Sequence, residues 1–386
     1  MGLNDTPSSN RIHISFFGRR NAGKSSLVNA FTGQDLAVVS PVAGTTTDPV
    51  SKAMELVPLG PVVITDTAGI DDEGQLGRLR IGKTNEIIRK TDIAIIVTNI
   101  DFGIGEYEKN LMETFKKKEI PTLVVYTKCD DSDISGDFLC VSSKTGRNIR
   151  VLKERIASLK PTENAKHLVG DFIEKDDVVV FVTPIDESAP KGRLILPQQQ
   201  AIRDCLDTGA ISVVVQPEQL QKSLKTLKPA LVVTDSQVFS VVSQIVPENI
   251  PLTSFSILMA RIKGLLESAV KGAYILDTLK DGDKVLISEG CTHHRQCKDI
   301  GTVKLPKLIE NHTKAKLDFE FTSGGTFPDD LSEYALIVHC GGCMLNDSEM
   351  RSRVSIAKSQ NVPITNYGTA IAHMTGILER SISIIP

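Results

Sequence analysis

Two stretches of this chain carry residue types whose spacing serves chemistry. In Cys340-Gly341-Gly342-Cys343 the thiols at i and i+3 fall on one side of a tight turn or first helical turn. The two glycines let the backbone bend close to a bulky inorganic group. Upstream, Cys291 and His293 stand two apart, and such residues point to one face of an extended segment. The full pattern is Cys291-x-His293, 46 intervening residues, then Cys340-x-x-Cys343. Three thiols and one imidazole suit either structural zinc or an iron-sulfur cluster. A cluster with only three thiolates leaves one iron to His293, to water or to an incoming group, which makes an open site rather than a plain electron carrier. The second stretch, Gly18-Arg19-Arg20-Asn21-Ala22-Gly23-Lys24-Ser25, matches the phosphate-binding pattern G-x-x-x-x-G-K-S. Backbone N–H groups from Asn21, Ala22 and Gly23 to Ser26 would face phosphates at a helix N-terminus, Lys24 would reach the outer phosphates, and the Ser25 hydroxyl would ligate magnesium.

Further pieces follow in the order a guanine-nucleotide switch requires. Asp66-Thr67-Ala68-Gly69 places Asp66 to hold magnesium through water and the Gly69 amide to sense the third phosphate. Thr46, in Thr45-Thr46-Thr47, is the hydroxyl expected to close over magnesium. Thr127-Lys128-Cys129-Asp130 and Ser142-Ser143-Lys144 form the base-binding side. A carboxylate at Asp130 accepts from both the ring N–H and the exocyclic amino group of guanine, a donor pair adenine lacks. Losing two charge-assisted bonds of roughly 1.5 to 3 kcal/mol each would disfavour ATP by orders of magnitude. Lys128 lies along the base plane, and the Ser143 amide meets the guanine carbonyl. Thr127 stands where such motifs carry Asn, and is expected to loosen the brace on the phosphate loop. Ile70 follows Gly69 where Ras-like enzymes carry a water-orienting Gln, so hydrolysis should be slow, on the order of 10⁻⁴ to 10⁻² per second.

The elements that must hold these residues read as α/β throughout. A strand at 12–17 feeds the glycine loop and a helix, and strands at 62–65, 123–126 and 138–141 end at the other nucleotide motifs. A helix closes at 160, and 161–164 reads as a linker. Strands at 178–182, 212–215 and 231–234 then alternate with helices at 198–206, 218–224 and 237–245, a small parallel sheet with no catalytic constellation. An exposed edge on such a sheet makes homodimerisation natural. After a helix at 257–266, strands at 285–288, 316–321, 335–339 and 362–365 and helices at 349–358 and 370–378 build a third unit. Ligands in such sheets bind at the carboxyl ends of strands, where Cys291 and Cys340 fall. The expected domains are 1–162 for GTP, 168–256 for dimerisation and 257–386 for the metal group.

At 386 residues with a net charge of -3, the chain has no basic field to imply nonspecific nucleic-acid binding. No stretch approaches the ~20 apolar residues needed to cross a bilayer. The polar start lacks a signal pattern, which points to the cytoplasm. Met1-Gly2 with Thr6 fits a myristoylation pattern short enough to arise by chance. The cysteine count, seven, is odd and disfavours a disulfide framework; Cys129, Cys140 and Cys205 sit in apolar stretches as small buried hydrophobes.

The first 150 or so residues resemble the small GTPase domain of the translation-factor class, in particular its Era and TrmE-like branch. In TrmE-like relatives an Asn in the phosphate loop helps to bind potassium, and Asn21 occupies that position here. A TrmE-like GTPase, a middle α/β domain and a C-terminal C-x-H-x46-C-x-x-C together resemble the HydF family, GTPases that take part in maturing FeFe-hydrogenase. That resemblance implies a 4Fe-4S cluster on Cys291, Cys340 and Cys343, with His293 a weaker candidate ligand. It also implies a scaffold or carrier role for the precursor of the two-iron subcluster, built with two radical-SAM maturases and delivered to the hydrogenase apoprotein. His294, Cys297 and His339 are expected to support the site or the fold. An Era- or TrmE-like GTPase acting on RNA or tRNA, with a zinc-stabilised C-terminal domain, is the alternative. It calls for a Lys/Arg stripe with stacking aromatics, and the C-terminal third, in a chain with no Trp and five Tyr, shows no such module. A thiol redox enzyme using Cys340 and Cys343 would want a thioredoxin-like setting and leaves Cys291 and His293 unexplained.

Overall fold

The computed structural model describes residues 6–33, 49–67, 75–130, 139–159, 167–185, 194–291 and 300–385, the side chains of 75–81 excepted. The chain divides into two compact units, Met1–Glu163 and Asn164–Pro386. The first runs β1 (Ile12–Phe17), α1 (Lys24–Thr32), β2 (Val50–Leu56), β3 (Gly60–Asp66), α2 (Gln75–Lys90), β4 (Ile93–Asn99), α3 (Glu106–Lys117), β5 (Thr122–Thr127), β6 (Leu139–Cys140) and α4 (Ile149–Ser158). Its sheet is ordered β2-β3-β1-β4-β5-β6, parallel except for the β2–β3 pair. Every residue of β4 is buried, as expected of a central parallel strand covered on both faces. Successive residues of β1 serve opposite faces. Phe16 packs with Phe31, Ile95 and Leu152, and Phe17 with Ile96, Leu111 and Phe115. Because β1 lies between β3 and β4, the loop leaving it opens onto the crevice where the strand order reverses, the usual ligand position in such sheets. The sequence patterns did not identify β2 or β4.

The second unit runs β7 (Val178–Val182), α5 (Leu196–Asp207), β8 (Ile211–Val215), α6 (Pro217–Thr226), β9 (Leu231–Thr234), α7 (Phe239–Ile245), β10 (Leu252–Ser254), α8 (Phe255–Ile262) and α9 (Leu266–Ala273). It continues with β11 (Lys284–Ser288), α10 (Leu305–Thr313), β12 (Asp318–Thr322), β13 (Leu336–His339), α11 (Asp347–Ser359), β14 (Ile364–Asn366), α12 (Tyr367–Met374) and α13 (Leu378–Ile382). These strands form two parallel four-stranded sheets, β10-β9-β7-β8 and β12-β11-β13-β14. The α/β expectation holds, with one strand more than expected in the first of these sheets. β10 has only three residues, too few to show a period.

Two helices also differ from their expected spans. The Ser254 side chain accepts the Ile257 N–H and starts α8 early, and Gly264, at φ +71°, separates it from α9. Asn366 caps α12 by accepting the Thr369 N–H at 2.8 Å, and Gly376 at φ +74° breaks it from α13. The helices between the sheets make a common core, since Ala273 of α9, Ala372 of α12 and Leu378 of α13 pack in one cluster with Val180 and Val182 of β7. The C-terminal segment returns to the first of these sheets. Ile384 packs against that sheet's other face, and Arg380 donates to the carbonyls of Val246, Pro247 and Ile250 at 3.1, 2.6 and 3.1 Å. Among the described residues, no helix is long and apolar enough to cross a membrane.

Candidate functional site

The glycine loop is built by backbone conformations that most side chains disfavour. Gly18 leaves β1 at φ +152°, and a Cβ there would come within 2.1 Å of the Val97 carbonyl oxygen. Asn21 at φ +58° and Gly23 at φ +83° then turn the chain into α1. The loop borders a cleft of about 610 Å³, lined also by Ser26, Thr127, Lys128, Asp130, Ser143 and Lys144. Three separate sequence motifs therefore meet at one cavity. Lys24 is buried, and its ammonium donates to the carbonyls of Gly18 at 2.9 Å and Arg19 at 2.8 Å, so its charge already sits inside the loop.

Ser25 Oγ donates to Asp66 Oδ2 at 2.6 Å. Asp66 Oδ1 is buried without a hydrogen-bond partner, and burial pushes the carboxyl above its ordinary value, against the pull of Ser25 and Lys24. A magnesium ion held by Ser25 and Asp66 would satisfy that oxygen and favour the charged carboxylate, so these residues fit the ion. Thr46 and Gly69 lie outside the described residues.

On the base side, Asp130 Oδ1 accepts from the buried Ser142 hydroxyl at 2.5 Å, which fixes the carboxylate that would read guanine. Lys128 holds a left-handed conformation at φ +61°. The Thr127 hydroxyl lies 2.6 Å from the Ala22 carbonyl and 3.2 Å from that of Thr98, so its single proton goes to Ala22 and one bond links β5 to the phosphate loop where an amide could donate two. Thr127→Ala leaves the Ala22 carbonyl without that donor and is expected to weaken GDP binding about tenfold. Calorimetric titration with GDP checks this, and an unchanged affinity would make the brace dispensable.

The cysteine loops leave adjacent strands. β11 and β13 are paired with Ser288 opposite His339, so the chain exits at Glu289-Gly290 beside Cys340. The Gly290 N–H donates to Cys340 Sγ at 3.0 Å and the Gly342 N–H at 3.4 Å. Gly342 is at φ +65°, and a Cβ there would lie 2.8 Å from Met350 Sδ. Burial pushes the Cys340 thiol up, against those two N–H bonds. Burial, with the nearness of Cys340 adding, pushes Cys343 up to about 12. Both thiols thus keep their protons until a metal displaces them. Cys291 is half-buried. N–H donors to the Cys340 sulfur from two loops suit an iron-sulfur cluster. His293, His294 and Cys297 lie outside the described residues.

Sequence reasoning missed the support beneath the loop. Arg353 of α11 is fully buried; its guanidinium donates to Glu349 Oε1 at 2.7 Å and the Gly324 carbonyl at 2.6 Å. It also lies 3.0 Å from His339 Nε2 and 3.2 Å from Ser288 Oγ. Burial, then the Arg353 charge, hold the His339 imidazole down to about 3, so it stays neutral, with Nδ1–H donating to the Cys340 carbonyl at 2.8 Å. His339 therefore orients the loop rather than binding metal. Lys263, also buried, donates to the Leu345 carbonyl at 2.8 Å and Asp347 at 2.7 Å, and its charge pulls the Cys343 thiol down against burial. Neither cation has a sequence signature, because each reads as an ordinary charged position on a helix.

Comparison with known proteins matches residues 13–128 to the family model "50S ribosome-binding GTPase". Residues 168–264 match "Hydrogen maturase F dimerization domain", and residues 267–384 match "Hydrogen maturase F tetramerization domain". The chain is 32% identical over 182 residues to GTPase Der of Wolinella succinogenes, covering 42% of this chain and 38% of that protein. It is 30% identical over 150 residues to the tRNA modification GTPase MnmE of Thiobacillus denitrificans, covering 38% and 33%. The chain thus spans little more than a third of the length of these curated relatives. Among solved structures, Era in complex with MgGDPNP and a 16S ribosomal RNA segment aligns with 53% of this chain and 91% of its own, at 15% identity and a TM-score of 0.36.

Proposed function

Because the chain belongs to the hydrogen maturase F family, we propose that it is a GTP-hydrolysing scaffold that holds a 4Fe-4S cluster and carries the two-iron subcluster precursor for FeFe-hydrogenase. The observation that carries this reading is the Cys340 sulfur, which takes backbone N–H bonds from two loops at the carboxyl ends of adjacent parallel strands. Cys291, Cys340 and Cys343 are the proposed cluster ligands, with His293 a candidate fourth. When bound, the cluster supplies an iron with a position for an incoming group. The chain supplies the rest: Arg353 and His339 set the loop from below, and Lys263 places a positive charge near Cys343. Partners on this reading are the hydrogenase apoprotein and two radical-SAM maturases, in the cytoplasm. Anaerobic reconstitution should yield about four irons with sulfide per chain. Iron and sulfide uptake at background level would overturn the reading.

At the other site, Lys24 and a magnesium ion on Ser25, Asp66 and Thr46 neutralise phosphate charge, and Asp130 selects guanine. The Gly69 amide and Thr46 hydroxyl answer to the third phosphate, and the resulting order of their loops is the signal that alters docking with a partner. Asn21 stands exposed in the loop where a potassium ion would add positive charge. GTP turnover should therefore be at least about tenfold faster in potassium than in sodium. Equal phosphate release in the two salts would remove potassium from the mechanism.

Assembly follows from β8. It is an edge strand, and its Ile211 and Val214 are 51% and 43% exposed, unlike the covered strands β7 and β9. A second copy pairing along this edge would cover both. Val214→Lys places a charge in that seam and should weaken self-association about a hundredfold. Sedimentation across a concentration series checks this, and an unshifted monomer–dimer midpoint would move the interface elsewhere.

A further inference from the structure

Away from the cysteine loops, three residues turn metal-ligating atoms toward one point. Asp277 sits in the 3-10 turn Tyr274–Thr278, His312 in the last turn of α10, and His373 in the last turn of α12. His312 Nε2 lies 2.7 Å from Asp277 Oδ1, and His373 Nε2 lies 3.0 Å from Asp277 Oδ2. The ligand atoms all fall within 4.8 Å of one another. The mounting is rigid, because Leu276, Ile309 and Ile371, each a near neighbour in sequence of one of the three, pack in a single core. The His373 ring is further held edge-on by Tyr274 at 4.9 Å, and the Tyr274 hydroxyl is tied to Glu379.

We propose that Asp277, His312 and His373 bind a zinc-class divalent cation, with the remaining coordination positions left to water. Two imidazoles and one carboxylate are the donor set of open zinc sites. Tetrahedral ligands at 2.0–2.1 Å from zinc stand about 3.3 Å apart; the 2.7 Å contact of His312 would open toward that spacing, and the other ligand atoms, within 4.8 Å of one another, are close enough for side-chain rotation to reach it. Side-chain exposures of 49% for Asp277, 27% for His312 and 12% for His373 leave one side open for a hydrated ion to approach. An ion pair alone explains the arrangement less well. A surface pair is worth little, and one carboxylate gains little more from two histidines brought by the same nitrogen from separate elements. A bound cation would clamp the ends of α10 and α12 to the turn before β11.

The test uses the full chain carrying Cys291→Ser, Cys340→Ser and Cys343→Ser, so that no cluster thiol competes, and cobalt(II) as the probe. One equivalent of cobalt should bind per chain, with a visible ligand-field spectrum that lacks sulfur-to-cobalt charge transfer and is bleached by zinc. Adding His312→Gln or Asp277→Asn should weaken uptake by about a hundredfold or more, with circular dichroism unchanged. Absence of stoichiometric uptake by the triple-serine chain overturns the proposal, as does uptake that both variants leave undiminished. His312→Gln in the otherwise unaltered chain should keep its iron and sulfide, so failure here is distinct from failure of the cluster reading.

Discussion

In the Cys340→Ser chain, iron after anaerobic reconstitution is expected to fall from about four atoms to below about one, with loss of the reduced-cluster EPR signal. Of the proposed ligands, Cys340 is the one whose sulfur accepts two backbone N–H bonds. Two glycine N–H groups, from Gly290 and Gly342, already point at its Sγ, and together they offset part of the burial that holds the thiol protonated. A serine oxygen at that place is a harder donor on a shorter bond, and its hydroxyl gives up its proton far less readily than a thiol. The neighbouring Cys343 cannot compensate, since it is a proposed ligand in its own right. Iron content and EPR on the variant and parent, prepared side by side, decide the matter. A variant that keeps both would take Cys340 out of the ligand set.

Lys24→Ala is expected to lower GTP turnover by about 10³-fold and to weaken nucleotide binding as well. The ammonium is buried within the loop, between the carbonyls of Gly18 and Arg19, and is a cation fixed at the place where phosphate charge must be met. Alanine leaves those carbonyls directed at an anion with nothing to neutralise it. Single-turnover phosphate release under saturating GTP separates the loss of chemistry from the loss of affinity. The same variant tests the switch: if it binds cluster and still activates hydrogenase fully, GTP has no obligatory role in delivery.

Much of the nucleotide site was legible because phosphate and base recognition use short contiguous motifs whose backbone geometry is local. The loop at Gly18 to Ser25, the Thr127 to Asp130 stretch and Asp66 needed no tertiary information to be named. The bond from the Thr127 hydroxyl to the phosphate loop could not be read in the sequence because its partner, Ala22, is 105 positions away. Cysteine spacing singled out Cys291, Cys340 and Cys343, the proposed cluster ligands, whereas Arg353 and Lys263 were hidden by looking like ordinary helix charges. Asp277, His312 and His373 come from three elements with no common period, so only the packing of α10, α12 and the preceding turn brings them together. Helix ends at Gly264 and Gly376 were misplaced because apolar spacing continued across glycines whose left-handed conformation stops the helix.

The return of α13 to the sheet of β7 to β10 gives the C-terminal half a particular order of events during synthesis. In topological terms the cysteine-bearing sheet is an insertion, flanked on one side by β10 and α8 and on the other by the segment that seals the earlier sheet. The ribosome makes β7 to β10 well over a hundred positions before Leu378 and Ile384. Until then part of that sheet's apolar surface is uncovered, and a nascent chain in this state is a substrate for chaperones. Completion of the earlier sheet thus waits on the later one, so a chain whose cysteine-bearing sheet misfolds would leave the β10 side of the earlier sheet unsealed.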